Sequence, residues 1–143
     1  MGQWVSSSVN SSVPDNAVRG GFDNDGTPIY VGRCSYKGNQ LPVKVIPSKR
    51  AASISLNGKV HKITKYELLV GNSFAWAPCD NGRIPSKAVT TGNTRDGEPL
   101  YIGRGFHANS LIVGKVHPSH GCLYVPYGGN EIRLSSYEVL FKT

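Results

Sequence analysis

The sequence predicts an all-β fold built on a tandem duplication, and three observations predict it. The first is an internal repeat at a single spacing. Asp25-Gly-Thr-Pro-Ile-Tyr-Val-Gly-Arg33 recurs as Asp96-Gly-Glu-Pro-Leu-Tyr-Ile-Gly-Arg104, Lys44-Val-Ile-Pro-Ser48 as Lys115-Val-His-Pro-Ser119, and Tyr66-Glu-Leu-Leu69 as Tyr137-Glu-Val-Leu140. All three pairs lie 71 residues apart, and residues 14–71 laid on 85–142 without a gap share 18 identities in 58 positions. Three motifs in one register do not arise from composition. The second observation is the absence of a sustained 3.6-residue apolar period, in a chain carrying 17 Gly and 9 Pro, residues that cost about 1 and 3 kcal/mol in a helix interior. The third is a succession of short β-branched and aromatic runs bounded by Asp-Gly, Asn-Gly and Gly-Gly turns.

The elements follow in order. Trp4 and Trp76 stand at the heads of the two copies with a one-residue slip in spacing. Each is expected to anchor a leading strand packed on the other copy. Pro28 to Gly32 and Pro99 to Gly103 are strands launched by Asp-Gly turns, in which Asp caps the turn and Gly supplies positive φ. Leu41 to Ile46 and Leu111 to Val116 are second strands, stopped by Pro47 and Pro118, which withhold a ladder donor. Ser53 to Leu56 alternates and then meets Asn57-Gly58, the signature of a type I′ hairpin. Its counterpart runs from Leu123 to Tyr127 into Gly128-Gly129. Tyr66 to Val70 and Tyr137 to Phe141 read as closing strands, with a short helical turn as the alternative. A single copy of about 70 residues has unpaired edges and a thin core. The predicted architecture is therefore two copies, residues 1–71 and 72–143, related by a pseudo-twofold axis and intertwined as one compact unit.

Composition narrows the function. The net charge is +7, from 16 basic and 9 acidic residues, which favours acidic partners. Yet the charge is scattered: residues 1–71 hold 9 basic and 4 acidic, residues 72–143 hold 7 and 5, and only Lys49-Arg50 are adjacent basics. No apolar run approaches the ~20 residues of a membrane span. No leader is visible, although Met1-Gly2 followed by Ser6 has the outline of a myristoylation start. Cys34, Cys79 and Cys122 form no CxxC pair and read as free thiols. These features point to the cytoplasm, with unconventional release as the route to an extracellular role. No Gly-x-Ser-x-Gly, His-Glu-x-x-His or phosphate loop occurs, so an enzyme is not expected. His117-Pro-Ser-His120-Gly-Cys122 has the look of a zinc half-site, but its first-copy counterparts Ile46, Lys49 and Ala51 form no site and no second cluster completes it.

Most recurring residues have structural explanations. Gly32 and Gly103 suit close backbone approach, Tyr30 and Tyr101 suit the core, and Arg33 and Arg104 suit a carbonyl or a carboxylate such as Glu67 or Glu138. Lys44 and Lys115 are different. Each interrupts an apolar strand at the same register, and an ammonium there must face solvent or hold a partner.

The string Gly-Phe-Asp-Asn-Asp-Gly-x-Pro-Ile-Tyr-Val-Gly-Arg over 21–33, with Leu-Pro-Val-Lys-Val-Ile-Pro-Ser over 41–48 and Tyr-Glu-Leu-Leu over 66–69, resembles the DM9 repeat. That repeat occurs in tandem pairs and also in natterin-like proteins, and the resemblance covers essentially the whole chain. It implies a mannose-binding lectin of the kind that serves invertebrates, bivalve molluscs in particular, in innate pattern recognition. It further implies that an Asp before the Asp-Gly turn and the strand Lys hold the sugar: Asp23 and Lys44 in the first copy. Beside the resemblance, the chemistry is sound. A carboxylate accepts from two sugar hydroxyls and an ammonium donates to sugar oxygens. An ion pair between Asp23 and Lys44 would fix both, and Tyr36, Trp4 or Trp76 could cover the sugar's C–H face. No metal or other cofactor is expected. The second copy keeps Lys115 but places Thr94 where the first has Asp23, so its site is expected to be weaker, shifted to Asp96, or differently selective. Mannose-containing glycans and a homodimer are the expected partners, without nucleic acid or membrane insertion. The alternatives are binding of nucleic acid or an anionic surface through the +7 charge, and an adaptor module.

Overall fold

A computed structural model describes residues 2–143; Met1, and with it the first residue of the myristoylation-like start, lies outside the described residues. The chain is nearly all strand. Fourteen strands follow one another: β1 (Gly2–Ser8), β2 (Arg19–Phe22), β3 (Pro28–Tyr36), β4 (Asn39–Ile46), β5 (Ala51–Leu56), β6 (Lys59–Lys62), β7 (Lys65–Gly71), β8 (Phe74–Asp80), β9 (Thr90–Asn93), β10 (Pro99–His107), β11 (Ser110–His117), β12 (Cys122–Tyr127), β13 (Asn130–Leu134) and β14 (Ser136–Lys142). Single 3-10 turns, Pro47–Lys49 and Pro118–His120, interrupt the series. Proline ends the strand as expected, and its fixed φ then starts the turn. The closing segments are strands β7 and β14, not helical turns.

All strands join one antiparallel sheet whose path runs β1-β7-β3-β4-β5-β6-β13-β12-β11-β10-β14-β8. Adding seven to each of the first six strands gives the last six in reverse order. The halves meet at β6 and β13, where Asn130 pairs with Lys59, and cross again where β2 pairs with both β3 and β11. At the far ends of the path, the Phe74 ring of β8 lies on Gly2 of β1, so the sheet rolls up on itself.

The hairpins form where turn chemistry dictates. Asn57 and Gly58 both hold positive φ, 52° and 86°, the backbone that suits the twist of the flanking strands. Gly128 and Gly129 do the same at 58° and 83°.

The leading strands depart from expectation. β1 pairs along its whole length with β7, and β8 with β14, so each hydrogen-bonds to the closing strand of its own half. Each leading strand therefore takes its ladder hydrogen bonds from its own half. Only the side chains reach the shared centre. Trp4, Phe74 and Trp76 pack on a core drawn from both halves, including Val31, Leu69, Ile102, Val113 and Leu140. Two flanking clusters, one around Val43 and Ile54 and one around Leu123 and Val125, fill the ends.

The recurring Arg residues close ion pairs of one design. Arg33 Nε donates to Glu67 Oε1 at 2.7 Å and Arg104 Nε to Glu138 Oε1 at 2.8 Å. Each guanidinium also lies over a tryptophan, at 4.4 Å for Trp4 and 4.2 Å for Trp76. Trp4 and Trp76 are thereby committed to the framework. Gly21 shows how tightly the halves cross: a Cβ there would strike the Leu111 carbonyl. Gly21→Ala should therefore destabilise the fold by about 1–3 kcal/mol, seen as a lower urea midpoint, whereas the exposed Ser12→Ala should stay within about 0.5 kcal/mol.

Candidate functional site

The Asp-Gly turn, the strand lysine and the 3-10 turn of the first half converge at one place. Asp23 follows β2 and shapes the turn: its N–H donates to the Thr27 carbonyl at 2.8 Å, and Gly26 N–H donates back to the Asp23 carbonyl at 2.8 Å. This aims the Asp23 side chain across the sheet at the second half, where Ser110 Oγ donates to its Oδ1 at 3.3 Å. Lys49, from the 3-10 turn, bridges Asp23 Oδ2 at 2.8 Å and Asp25 Oδ2 at 2.9 Å. Lys44 rises from the middle of β4 and donates to the Pro126 carbonyl at 2.9 Å. Beyond it stands Tyr127, whose ring centroid is 6.0 Å from Lys44 Nζ. Asn24 Nδ2 donates to the Tyr127 hydroxyl at 3.1 Å, and His107 meets the same ring edge-on at 5.2 Å.

Asp23 and Lys44 are thus neighbours, but the direct ion pair expected between them is not formed: among the described residues Asp23 pairs with Lys49. Lys49 sits on a short turn at the right height, while Lys44 is drawn down to a backbone carbonyl. The two groups influence each other through space. Burial works to raise the Asp23 carboxyl, yet the Lys49 bond, the Asn24 N–H and the charges of Lys49 and Lys44 outweigh it, and the group falls below its ordinary 3.8. Burial lowers the Lys44 ammonium; the Asp23 charge opposes this and the Lys49 charge adds to it. The aromatic neighbours also differ from expectation. Tyr36 stacks on His61 at 5.0 Å and Trp4 and Trp76 lie under arginines, so Tyr127 and His107, both from the second half, border the site. Neither carries a sequence signal, because Tyr127 comes beside Lys44 only through the crossing of the halves, and His107 joins through Tyr127.

The corresponding place in the second half is a hollow of about 560 Å³. Thr94, Asp96 and Lys115 all line it. Thr94 is occupied with its own turn, its Oγ1 accepting from Glu98 N–H at 3.2 Å. Lys115 is buried, donates to the Ser55 carbonyl at 2.7 Å, and faces Glu131 Oε2 at 2.9 Å, off the line of a hydrogen bond. Glu131 escaped the sequence reading because Val60 stands at its place in the first half. Burial would raise its carboxyl, but the Lys115 charge and the Lys115, Ser55 and Gly58 contacts bring it below the ordinary value.

The zinc-like string is a hydrogen-bonded cluster. His117 Nε2 lies 3.0 Å from Glu98 Oε1, His117 and His120 stack at 3.6 Å, and His120 Nδ1 lies 3.0 Å from the Tyr124 hydroxyl. Burial, followed by the His120 charge, lowers His117 against the pull of Glu98. Cys122 is buried in the core, and the three cysteines are free. Among the described residues no group of three or more His, Cys, Asp or Glu is placed to hold a metal ion.

Fold and site together define a rolled β-sheet protein that brings polar side chains of its two halves together where they cross. The DM9 repeat family model matches residues 1–39 and 23–134, and the chain belongs to that family. It is similar to Natterin-2 of Thalassophryne nattereri, 27% identical over 142 residues, covering 96% of this chain and 35% of that protein. It is also similar to Natterin-1 of the same fish, 31% identical over 88 residues, covering 58% of this chain and 23% of that protein. The chain thus spans about a third or less of the length of these relatives. Its fold resembles the crystal structure of the nematode sperm cell motility protein MFP2B, with a TM-score of 0.74 over the whole of this chain and 47% of that one. At 14% identity that likeness is one of fold alone.

A carboxyl lowered by folding stabilises the protein above its unfolded value and loses that contribution as pH falls through the folded one. Asp23 and Asp25 both lie below 3.8, so the turn should hold at neutral pH and loosen only in acid below about pH 4. Lys49→Met should raise the Asp23 midpoint followed by carboxyl NMR. An unmoved midpoint would show that the Lys49 ammonium is not what holds it.

Proposed function

We propose that this protein is a lectin that binds mannose-type sugars between Asp23 and Lys44, through side chains alone and without a metal. The observation that carries the reading is that the Asp23 turn and the Lys44 ammonium meet at Tyr127, whose hydroxyl accepts from Asn24 at 3.1 Å and whose ring centroid lies 6.0 Å from Lys44 Nζ, with the carboxylate and the ammonium not paired to each other. Each is held by other partners: Asp23 by Lys49 and Ser110, Lys44 by the Pro126 carbonyl. A pair fixed this way is organised before the ligand arrives, which lowers the ordering cost of binding. One sugar hydroxyl donates to Asp23, its neighbour accepts from Lys44, and the Tyr127 ring borders the C–H face. Membership of the DM9 family supports the same reading. A pattern-recognition role on mannose-bearing surfaces follows from it. Because a single sugar contact is weak, a homodimer would give the avidity such a role needs.

The test is titration with mannose by calorimetry. Asp23→Asn and Lys44→Met should each weaken binding at least about tenfold, the order expected for a charged hydrogen bond of 1.5–3 kcal/mol. Affinity should change less than about twofold between 50 and 200 mM salt. An interaction driven by the +7 charge, as with nucleic acid, would instead fall by orders of magnitude over that range. Binding of nucleic acid with that steep salt slope, and none of mannose, would overturn the reading.

A further inference from the structure

Two imidazoles on the wall of the second-half hollow lie flat on one another. His117 and His120 stack with ring centroids 3.6 Å apart and planes 10° from parallel, and both line the hollow. The first half has no such pair: Ile46 stands at the place of His117 and Lys49 at that of His120. Lys49 keeps its proton in neutral and mildly acid solution, because the Asp23 and Asp25 contacts raise its ammonium above the ordinary 10.5. An imidazole instead gains charge as the pH falls from about 8 to 5. His117 is half-buried and anchored. Its Nε2 lies 3.0 Å from Glu98 Oε1, and Glu98 also accepts from Ser119 N–H at 2.8 Å and from the Ser119 hydroxyl. The backbone that carries His120 is anchored too. Arg133 Nη2 donates to the His120 carbonyl at 2.8 Å, and the turn packs so closely on Gly82 that a Cβ there would strike the Pro118 carbonyl and Gly121. The His120 ring is exposed. Beyond the stack it touches Tyr124, whose hydroxyl lies 3.0 Å from Nδ1.

Two charged rings so close repel each other, so the pair takes up its protons in two coupled steps. The surroundings decide which ring keeps its place. On β11, Lys115 sets a positive charge beside His117, and Glu98, just before β10, opposes it. β12 brings Tyr124 and the buried Cys122, which pairs with His117 across the ladder. β13 brings Arg133 to His120, while Glu131 of the same strand is committed to Lys115. On the rim, the exposed Arg95 offsets the exposed Asp96. Glu98 stays ionised in mild acid: burial works to raise its carboxyl, but the Ser119 bonds and the His117 contact bring it below the ordinary 4.5. It can therefore hold a charged His117, whereas among the described residues no ion pair holds His120. We propose that the stack is an acid-operated latch on the wall of the hollow. It is shut while at most one ring carries a proton. When both do, His117 stays on Glu98, and the His120 ring turns out to solvent and leaves Tyr124, opening the hollow on that side. The sign follows from His117, which burial and then the His120 charge lower below the ordinary 6.5. A base lowered by folding binds fewer protons folded than unfolded. The closed stack thus stabilises the protein above about pH 6.5, and that contribution is lost as the pH falls through the lower folded value. The latch does not depend on what the first half binds.

The experiment is NMR of the imidazole protons in the whole protein from about pH 8 to pH 5, in the wild type, His120→Ala and Glu98→Gln. The expected result in the wild type is a ring-to-ring contact between His117 and His120 that is present at the alkaline end and lost at the acid end, while the dispersed amide resonances of the fold persist. In His120→Ala, His117 should bind its proton about tenfold more tightly, the scale of coupling that separates two titration steps. In Glu98→Gln it should bind its proton more weakly. A ring contact that survives once both rings are charged, or a His117 midpoint that His120→Ala leaves in place, would overturn the latch. Loss of the amide dispersion together with the contact would overturn it as well, since the whole fold would then be opening rather than one side chain.

Discussion

Two lysine ammoniums reach across the molecule, and the rest of the site follows from that crossing. Lys44 donates to the Pro126 carbonyl and Lys115 to the Ser55 carbonyl, so each half holds the other's hairpin at a fixed depth. A buried ammonium needs a partner close at hand, and here the partner is main chain that exists only when the other half is folded. The same contacts that tie the halves together place Tyr127 beside Lys44 and bring Leu56 and Lys115 to the lining of one hollow. Neither place belongs to one half.

Within that shared frame, the two places have diverged by a small number of substitutions. The first keeps its carboxylate on the Asp-Gly turn, leaves Lys44 without a carboxylate bonded to it, and borrows its aromatic border from the other half. The second loses the turn carboxylate to Thr94, seals Lys115 with Glu131, and carries the stacked His117 and His120 at its 3-10 turn. An unchanged backbone register with exchanged side-chain chemistry allows the two places to respond differently without any change in the fold.

Local chemistry made most of the framework legible in the sequence. Asn57-Gly58 and Gly128-Gly129 announced hairpins because they tolerate positive φ, and Pro47 and Pro118 marked strand ends because they cannot donate. The Arg33–Glu67 and Arg104–Glu138 pairs were foreshadowed by recurrence at one spacing. Contacts across the halves were not legible. The leading strands found the closing strands of their own halves because those edges were nearest. Lys49 displaced Lys44 as the partner of Asp23 because a three-residue turn set its height. Tyr127, His107 and Glu131 carried no signal, since nothing in a single copy shows what the other copy brings to it.

A crystal structure of the protein with mannose tests the account most directly. The account predicts the sugar between Asp23 and Lys44, its hydroxyls on both groups and its ring against Tyr127, so that residues of both halves touch one ligand. A sugar held by residues of one half alone, or bound elsewhere with the Lys49–Asp23 pair and the Lys44 tie undisturbed, would contradict it.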